Sequence, residues 1–179
     1  MLKKFSVSIS RSLTLLLTGL SLMLLAACGE PAEPEEPKIK NASPTEILGN
    51  PEYQAFSYGG YRERKRDTVP TVTQLKDDMR ILNAMGIKVL RTYNTSQYAH
   101  AANLLQAIRE LKDEDPEFEM YVMLGAWIEA KDSWTDKPTH NMGNVENNTQ
   151  EINAAVQMAN DYPDVVKFIA VGNEAMVQW

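Results

Sequence analysis

The sequence predicts an α/β protein of the (β/α)8 barrel class, also called the TIM barrel. Its first four strands and three helices fill the folded part of the 179-residue chain. Three observations predict this. Apolar β-type runs alternate strictly with amphipathic helical segments, which implies a parallel sheet covered by helices. The turn after the first strand reads Tyr58-Gly59-Gly60-Tyr61-Arg62, without the Gly-rich phosphate loop that would favour an open dinucleotide-binding sheet. Polar and aromatic residues gather at the C-terminal ends of all four strands, the face on which barrel enzymes carry their active sites.

The first segment, residues 1–28, reads as an address. Lys3, Lys4 and Arg11 make a positive start, and Leu13 to Leu25 is apolar apart from Thr14, Thr18, Gly19 and Ser21. Small residues follow, as a signal peptidase requires. The apolar stretch is short for a spanning helix, which needs about 20 such residues. Leu25-Ala26-Ala27-Cys28 resembles a bacterial lipobox, which implies acylation of Cys28 and export to a membrane surface. By the same resemblance Gly29, where a retention signal would have Asp, implies the outer membrane of a Gram-negative host. Residues 29–51 carry five prolines and, at the N-terminal side, four glutamates. Such composition buries too little apolar surface to fold, and the segment is expected to be a tether between lipid and domain.

The domain is expected over residues 52–179. Ala55 to Gly59 reads as the first strand. Leu75, Met79, Leu82 and Met85 recur at helical spacing, and Gly86 stands where a helix stops. Ile87 to Tyr93 is rich in β-formers and reads as the second strand. Ala101 to Leu111 is a helix with Leu104, Leu105, Ile108 and Leu111 on one face. Met120 to Trp127 is nearly all apolar, as a strand buried on both faces should be. Asn147 to Tyr162 is a helix whose predicted inner face holds Ile152, Val156 and Ala159, with Pro163 after its end. Val165 to Val171 is the fourth strand. A whole barrel takes about 250 residues, and half a barrel leaves two open sheet edges. The sequence is therefore expected to be the N-terminal part of a longer protein.

Composition narrows the function. A net charge of −6 argues against nucleic acid, which needs clustered Lys and Arg. The one basic cluster, Arg62 to Arg66, reads as a solvated loop. A single cysteine excludes an internal disulfide and a thiolate metal site. His100 and His140 are isolated, without metal-ligand spacing, and read as surface or packing residues. Ser57 lacks the context of a hydrolase nucleophile. No cofactor and no metal is expected.

Four segments carry a family resemblance. They are Phe56-Ser57-Tyr58-Gly59, Val89-Leu90-Arg91-Thr92-Tyr93, Leu124-Gly125-Ala126-Trp127-Ile128 and Val171-Gly172-Asn173-Glu174, on successive strands. In that order the chain resembles clan A glycoside hydrolases, and within them glycoside hydrolase family 17, whose members are β-1,3-glucanases and glucanosyltransferases. The resemblance implies a retaining hydrolase acting on a β-1,3-linked polysaccharide or oligosaccharide. It makes Glu174 the general acid and gives Asn173 a hydrogen bond to the sugar 2-hydroxyl. Arg91 is implied at the floor of the site, orienting carboxylates, and Tyr58, Tyr93 and Trp127 offer rings for sugar contact. The chemistry is consistent with these types: cleavage needs one carboxylic acid for the leaving oxygen and a second carboxylate across the ring, with the acid kept protonated by an enclosed site. The family's nucleophile belongs to strand seven, which this sequence does not contain, so it is expected to be inactive alone. Glu129, Asp132 and Asp136 are read as loop residues and not as substitutes. Thr92-Tyr93-Asn94 departs from the Leu-Tyr-Asp of many plant members. Transglycosylation of β-glucan and non-catalytic glycan binding are the alternatives, separated by whether a glutamate ends strand seven.

Overall fold

A computed structural model describes residues 38–173 and residue 175. The expected signal segment, Cys28, the first part of the tether and Glu174 lie outside these residues. The described elements are, in chain order, α1 (Pro44–Ile47), β1 (Gln54–Ser57), α2 (Val72–Ala84), β2 (Ile87–Arg91) and α3 (His100–Glu114). They continue with β3 (Tyr121–Ala126), β4 (Ala130–Lys131), β5 (Thr139–Gly143), α4 (Val145–Asp161) and β6 (Val166–Val171). The fold is mixed α/β with a four-stranded sheet in the order β1-β2-β3-β6. All three pairings are parallel: Phe56 lies beside Leu90, Leu90 beside Val122, and Leu124 beside Ile169.

The parallel sheet follows from the helical crossovers. Thr71 caps α2 by accepting from the Gln74 backbone, and the Gln74 side chain returns the bond to Thr71 N. This reciprocal box satisfies two donors that a helix start leaves free. Leu75 and Met79 are buried against Leu90, Val122 and Leu124 of the sheet and against Leu104, Leu105 and Ile108 of α3. Gly86, at φ +85°, then turns the chain into β2, a conformation that costs a glycine nothing.

Several expectations are corrected. Residues 38–51 were expected in the tether, yet they pack under the sheet. Ser43 and Glu46 form a capping box around α1, Pro44 sits at its first position, and Ile47 is buried. Ala42 N donates to the Tyr121 hydroxyl at 2.7 Å, and buried Lys112 donates to the Lys40 carbonyl at 2.7 Å. The proline and glutamate density that argues for a tether is concentrated before residue 38, whereas Ile47 supplies an apolar anchor and Pro44 fits a helix start. Met85, expected on the inner face of α2, is exposed as its cap residue. The expected inner face of α4 is rotated: Glu151 and Ala155 are buried, while Ile152 and Val156 are exposed. The loop expected after the third strand holds an antiparallel hairpin, β4–β5. Among the described residues no helix is long and apolar enough to cross a membrane.

Candidate functional site

The sheet brings Arg91, Tyr93, Trp127 and Asn173 to its C-terminal edge by simple means. Gly125 has no room for a side chain, because a Cβ there would clash with the Thr92 carbonyl oxygen. The Thr92 hydroxyl instead bonds to Gly125 N at 3.0 Å, tying the loop after β2 to β3. Gly172 donates to the Ala126 carbonyl at 2.9 Å and adopts φ +84°. That turn ends β6 and carries the chain into Asn173.

Arg91, the last residue of β2, donates to Asn173 Oδ1 at 2.8 Å, and its guanidinium lies over the Tyr93 ring, 5.3 Å from the centroid. Accepting through Oδ1 leaves the amide Nδ2 of Asn173 as its donor end. An amide so oriented can donate to a ligand hydroxyl. Trp127 and Asn173 line one cleft of about 250 Å³ together with Trp134, His140 and Ala175. Glu174 lies outside the described residues, between Asn173 and Ala175.

Tyr58 is placed differently. Its hydroxyl donates to Asp78 of α2, which also accepts both guanidinium nitrogens of Arg62 at 3.1 and 2.8 Å. Its ring packs on the helix-facing core. Burial, with the Asp78 carboxylate beside it, holds the phenol well above its usual range. Tyr58 thus supports the loop after β1 and lines, with Tyr93, a cleft other than the one that holds Asn173. His100 packs edge-on between Tyr61 and Tyr98, and burial lowers its pKa. Among the described residues no group of three or more His, Cys, Asp or Glu side chains could hold a metal ion.

Two residues of this edge, Glu151 and Trp134, were not singled out from the sequence, and a third, Glu129, was read only as a loop residue. Glu151 of α4 is 3% exposed. It accepts from Thr95 N at 2.6 Å, Ser96 N at 2.8 Å, the Ser96 hydroxyl and Trp127 N at 3.0 Å. One buried carboxylate therefore fixes the loops after β2 and β3 at once. The signal available was a carboxylate in register with Ala155 on a helix, a position that is rarely apolar-facing without partners. Trp134, in the β4–β5 turn, stacks on Trp127 with centroids 6.3 Å apart and an interplanar angle of 17°. Glu129 accepts the Trp134 indole N–H at 2.7 Å and the side-chain amides of Asn144 and Asn147 at 2.8 and 2.7 Å. A tryptophan within the polar run Ser133 to Pro138 was the available sign.

No protein-family model matches the chain, and no curated protein matches it. Among solved structures it is similar to an endo-laminarinase from Formosa Hel1_33_131, with 56% sequence identity and a TM-score of 0.72 over 77% of this chain. The chain spans 35% of the length of that protein.

Proposed function

We propose that the protein is a β-1,3-glucan hydrolase of the retaining type, with Glu174 as its general acid. The observation that carries this reading is the 56% identity to an endo-laminarinase over 77% of this chain. In this reading the Asn173 amide, oriented by Arg91, donates to the 2-hydroxyl of the sugar at the bond to be cut. Such a bond strengthens as the ring approaches the oxocarbenium-like transition state. Glu174 protonates the departing oxygen and later, as a base, activates water against the glycosyl-enzyme. The nucleophile is a second carboxylate from a later strand, and the four strands alone are inactive.

The same reading completes the sheet into an eight-stranded barrel. Three features support it. The sheet adds its strands in one direction throughout, whereas a doubly wound sheet reverses at a switch point and places a later strand on the other side of its first. The described helices α2 and α3 share one core with one face of the sheet. Apolar side chains stand exposed on both edge strands and the helices beside them: Phe56, Ile81 and Met85 on one side, Ile152, Val156, Ile169 and Val171 on the other. Acylation at Cys28 would anchor this barrel to a membrane surface, with residues 29–37 as the link.

The test uses protein expressed from its complete reading frame. Laminarin-type glucan should be cleaved with retention of anomeric configuration, as followed by NMR. Glu174→Gln removes the transferable proton and should lower turnover on it by about 10²–10⁴-fold. The loss should be much smaller on an aryl glycoside, whose leaving group needs little protonation, and azide should restore part of it. Near-wild-type turnover of Glu174→Gln on the glucan would overturn the assignment of the acid.

A further inference from the structure

We propose that Trp134 is the platform of a separate sugar-binding subsite, built by the β4–β5 hairpin beside the cleft that holds Asn173. The inference rests on the β-glucan reading above and adds to it a specificity-determining residue.

Two clefts share Trp127, Glu129 and Trp134 as a common wall. The first, already described, includes Asn173. The second has a volume of about 330 Å³ and does not; its other walls are polar, with Asn94, Gln97 and Gln150 among them. That volume falls at the lower end of small-ligand pockets. Its lining is largely uncharged, from Asn94, Ser96, Gln97, Asn147 and Gln150, with one cation, Arg66, and two carboxylates, Glu129 and Glu151, that already accept from N–H donors. This suits a neutral ligand with many hydroxyl groups better than an anion.

Trp134 is 71% exposed, so burial does not explain its position. It is nonetheless held. Its indole N–H is fixed by Glu129, which is fixed by Asn144 and Asn147. The Glu129 backbone is bonded on both sides as well: its N–H donates to Asn148 Oδ1 at 2.9 Å, and its carbonyl accepts from Asn144 N and Asn148 Nδ2, both at 3.0 Å. Three asparagines at the start of α4 thus bolt the hairpin in place. Fixing an exposed aromatic ring in advance lowers the ordering cost of binding. The ring's electron-rich face attracts C–H groups, and a pyranose presents such a face while its hydroxyls point outward to the amide-lined rim. A glucan chain reaching the Asn173 cleft would then meet Trp134 with a residue remote from the cleaved bond.

The test is a binding titration of the complete protein, carrying Glu174→Gln to slow turnover, with β-1,3-linked glucobiose and glucohexaose. Trp134→Ala should weaken the hexaose roughly ten-fold more than the biose, a difference typical of one lost aromatic anchor. Trp134→Phe, which keeps a ring but not the N–H, should recover most of the hexaose affinity with an unchanged unfolding midpoint. Two results overturn the subsite while leaving the glucan reading intact: Trp134→Ala binding the hexaose as tightly as its parent, or Phe losing as much as Ala. Failure of the parent protein to bind either oligosaccharide overturns the glucan reading, and the subsite with it.

Discussion

At the scale of single residues, two buried charges show opposite ways of living inside this domain. Glu151 is surrounded by donors. Lys112 of α3 is also fully buried, but its ammonium donates to the Lys40 carbonyl and otherwise faces the Tyr121 ring at 4.5 Å. Desolvation pushes its pKa down to about 8, with Asp164 and Glu119 opposing the shift and Lys167 and Arg109 adding to it. The folded state therefore loses this proton near pH 8, whereas the unfolded chain holds it to about 10.5. Between those values the unfolded state binds more protons, so stability contributed by this site rises with pH; below pH 8 the full penalty is present. Lys112→Met removes the charge at nearly constant volume. Its stability relative to wild type should be most favourable near pH 7 and should fall by about 1–3 kcal/mol by pH 9.5. Urea unfolding of both proteins across that range measures the difference, and a pH-independent difference would exclude the depressed lysine.

At the scale of elements, α4 organises the site edge. Its first residues hold the hairpin through Glu129, and Glu151 holds the loops after β2 and β3. Glu151→Ala would strand three backbone donors, those of Thr95, Ser96 and Trp127, in a buried place. Hydrogen bonds to a charged acceptor contribute about 1.5–3 kcal/mol each, so the loss should reach at least about 3 kcal/mol in equilibrium unfolding. Glu151→Gln keeps the shape but turns an amide towards N–H donors, and should fall between wild type and Ala. If Glu151→Ala unfolds at the wild-type denaturant concentration, these bonds do not hold the loops. Trp127 emission reports the same event, because its backbone is one of the released donors.

At the scale of the whole molecule, the parallel sheet leaves apolar side chains exposed at both of its edges. Edge strands with unpaired backbone and apolar side chains are sites of association unless covered. Further strands and helices of the proposed barrel would cover both. In the proposed reading, a lipid anchor at Cys28 sets where the protein works. Cys28→Ser should leave an uncleaved precursor that takes up no labelled palmitate, while the parent protein is labelled. Equal labelling of the two would refute the proposed anchor.

The sequence by itself determined the elements whose pattern is local. The apolar run at 120–127 and the mostly apolar run at 165–171 became β3 and β6; β3 is buried on both faces, whereas Ile169 and Val171 of β6 stand exposed. The helix over 101–111 kept its predicted face: Leu104, Leu105, Ile108 and Leu111 are all buried. Arg91 and Asn173 were legible as strand-end residues, but their 2.8 Å bond spans 82 positions of sequence and depends on β2 and β6 flanking β3. Tertiary structure alone decided the face of α4, where donors from two loops made Glu151 a better inward residue than Ile152. It also decided residues 38–51, where the Ala42 N–H and the Lys40 carbonyl find their partners, Tyr121 and Lys112, 79 and 72 positions away. Composition and periodicity read neighbours along the chain; hydrogen-bond satisfaction and burial are settled by neighbours in space.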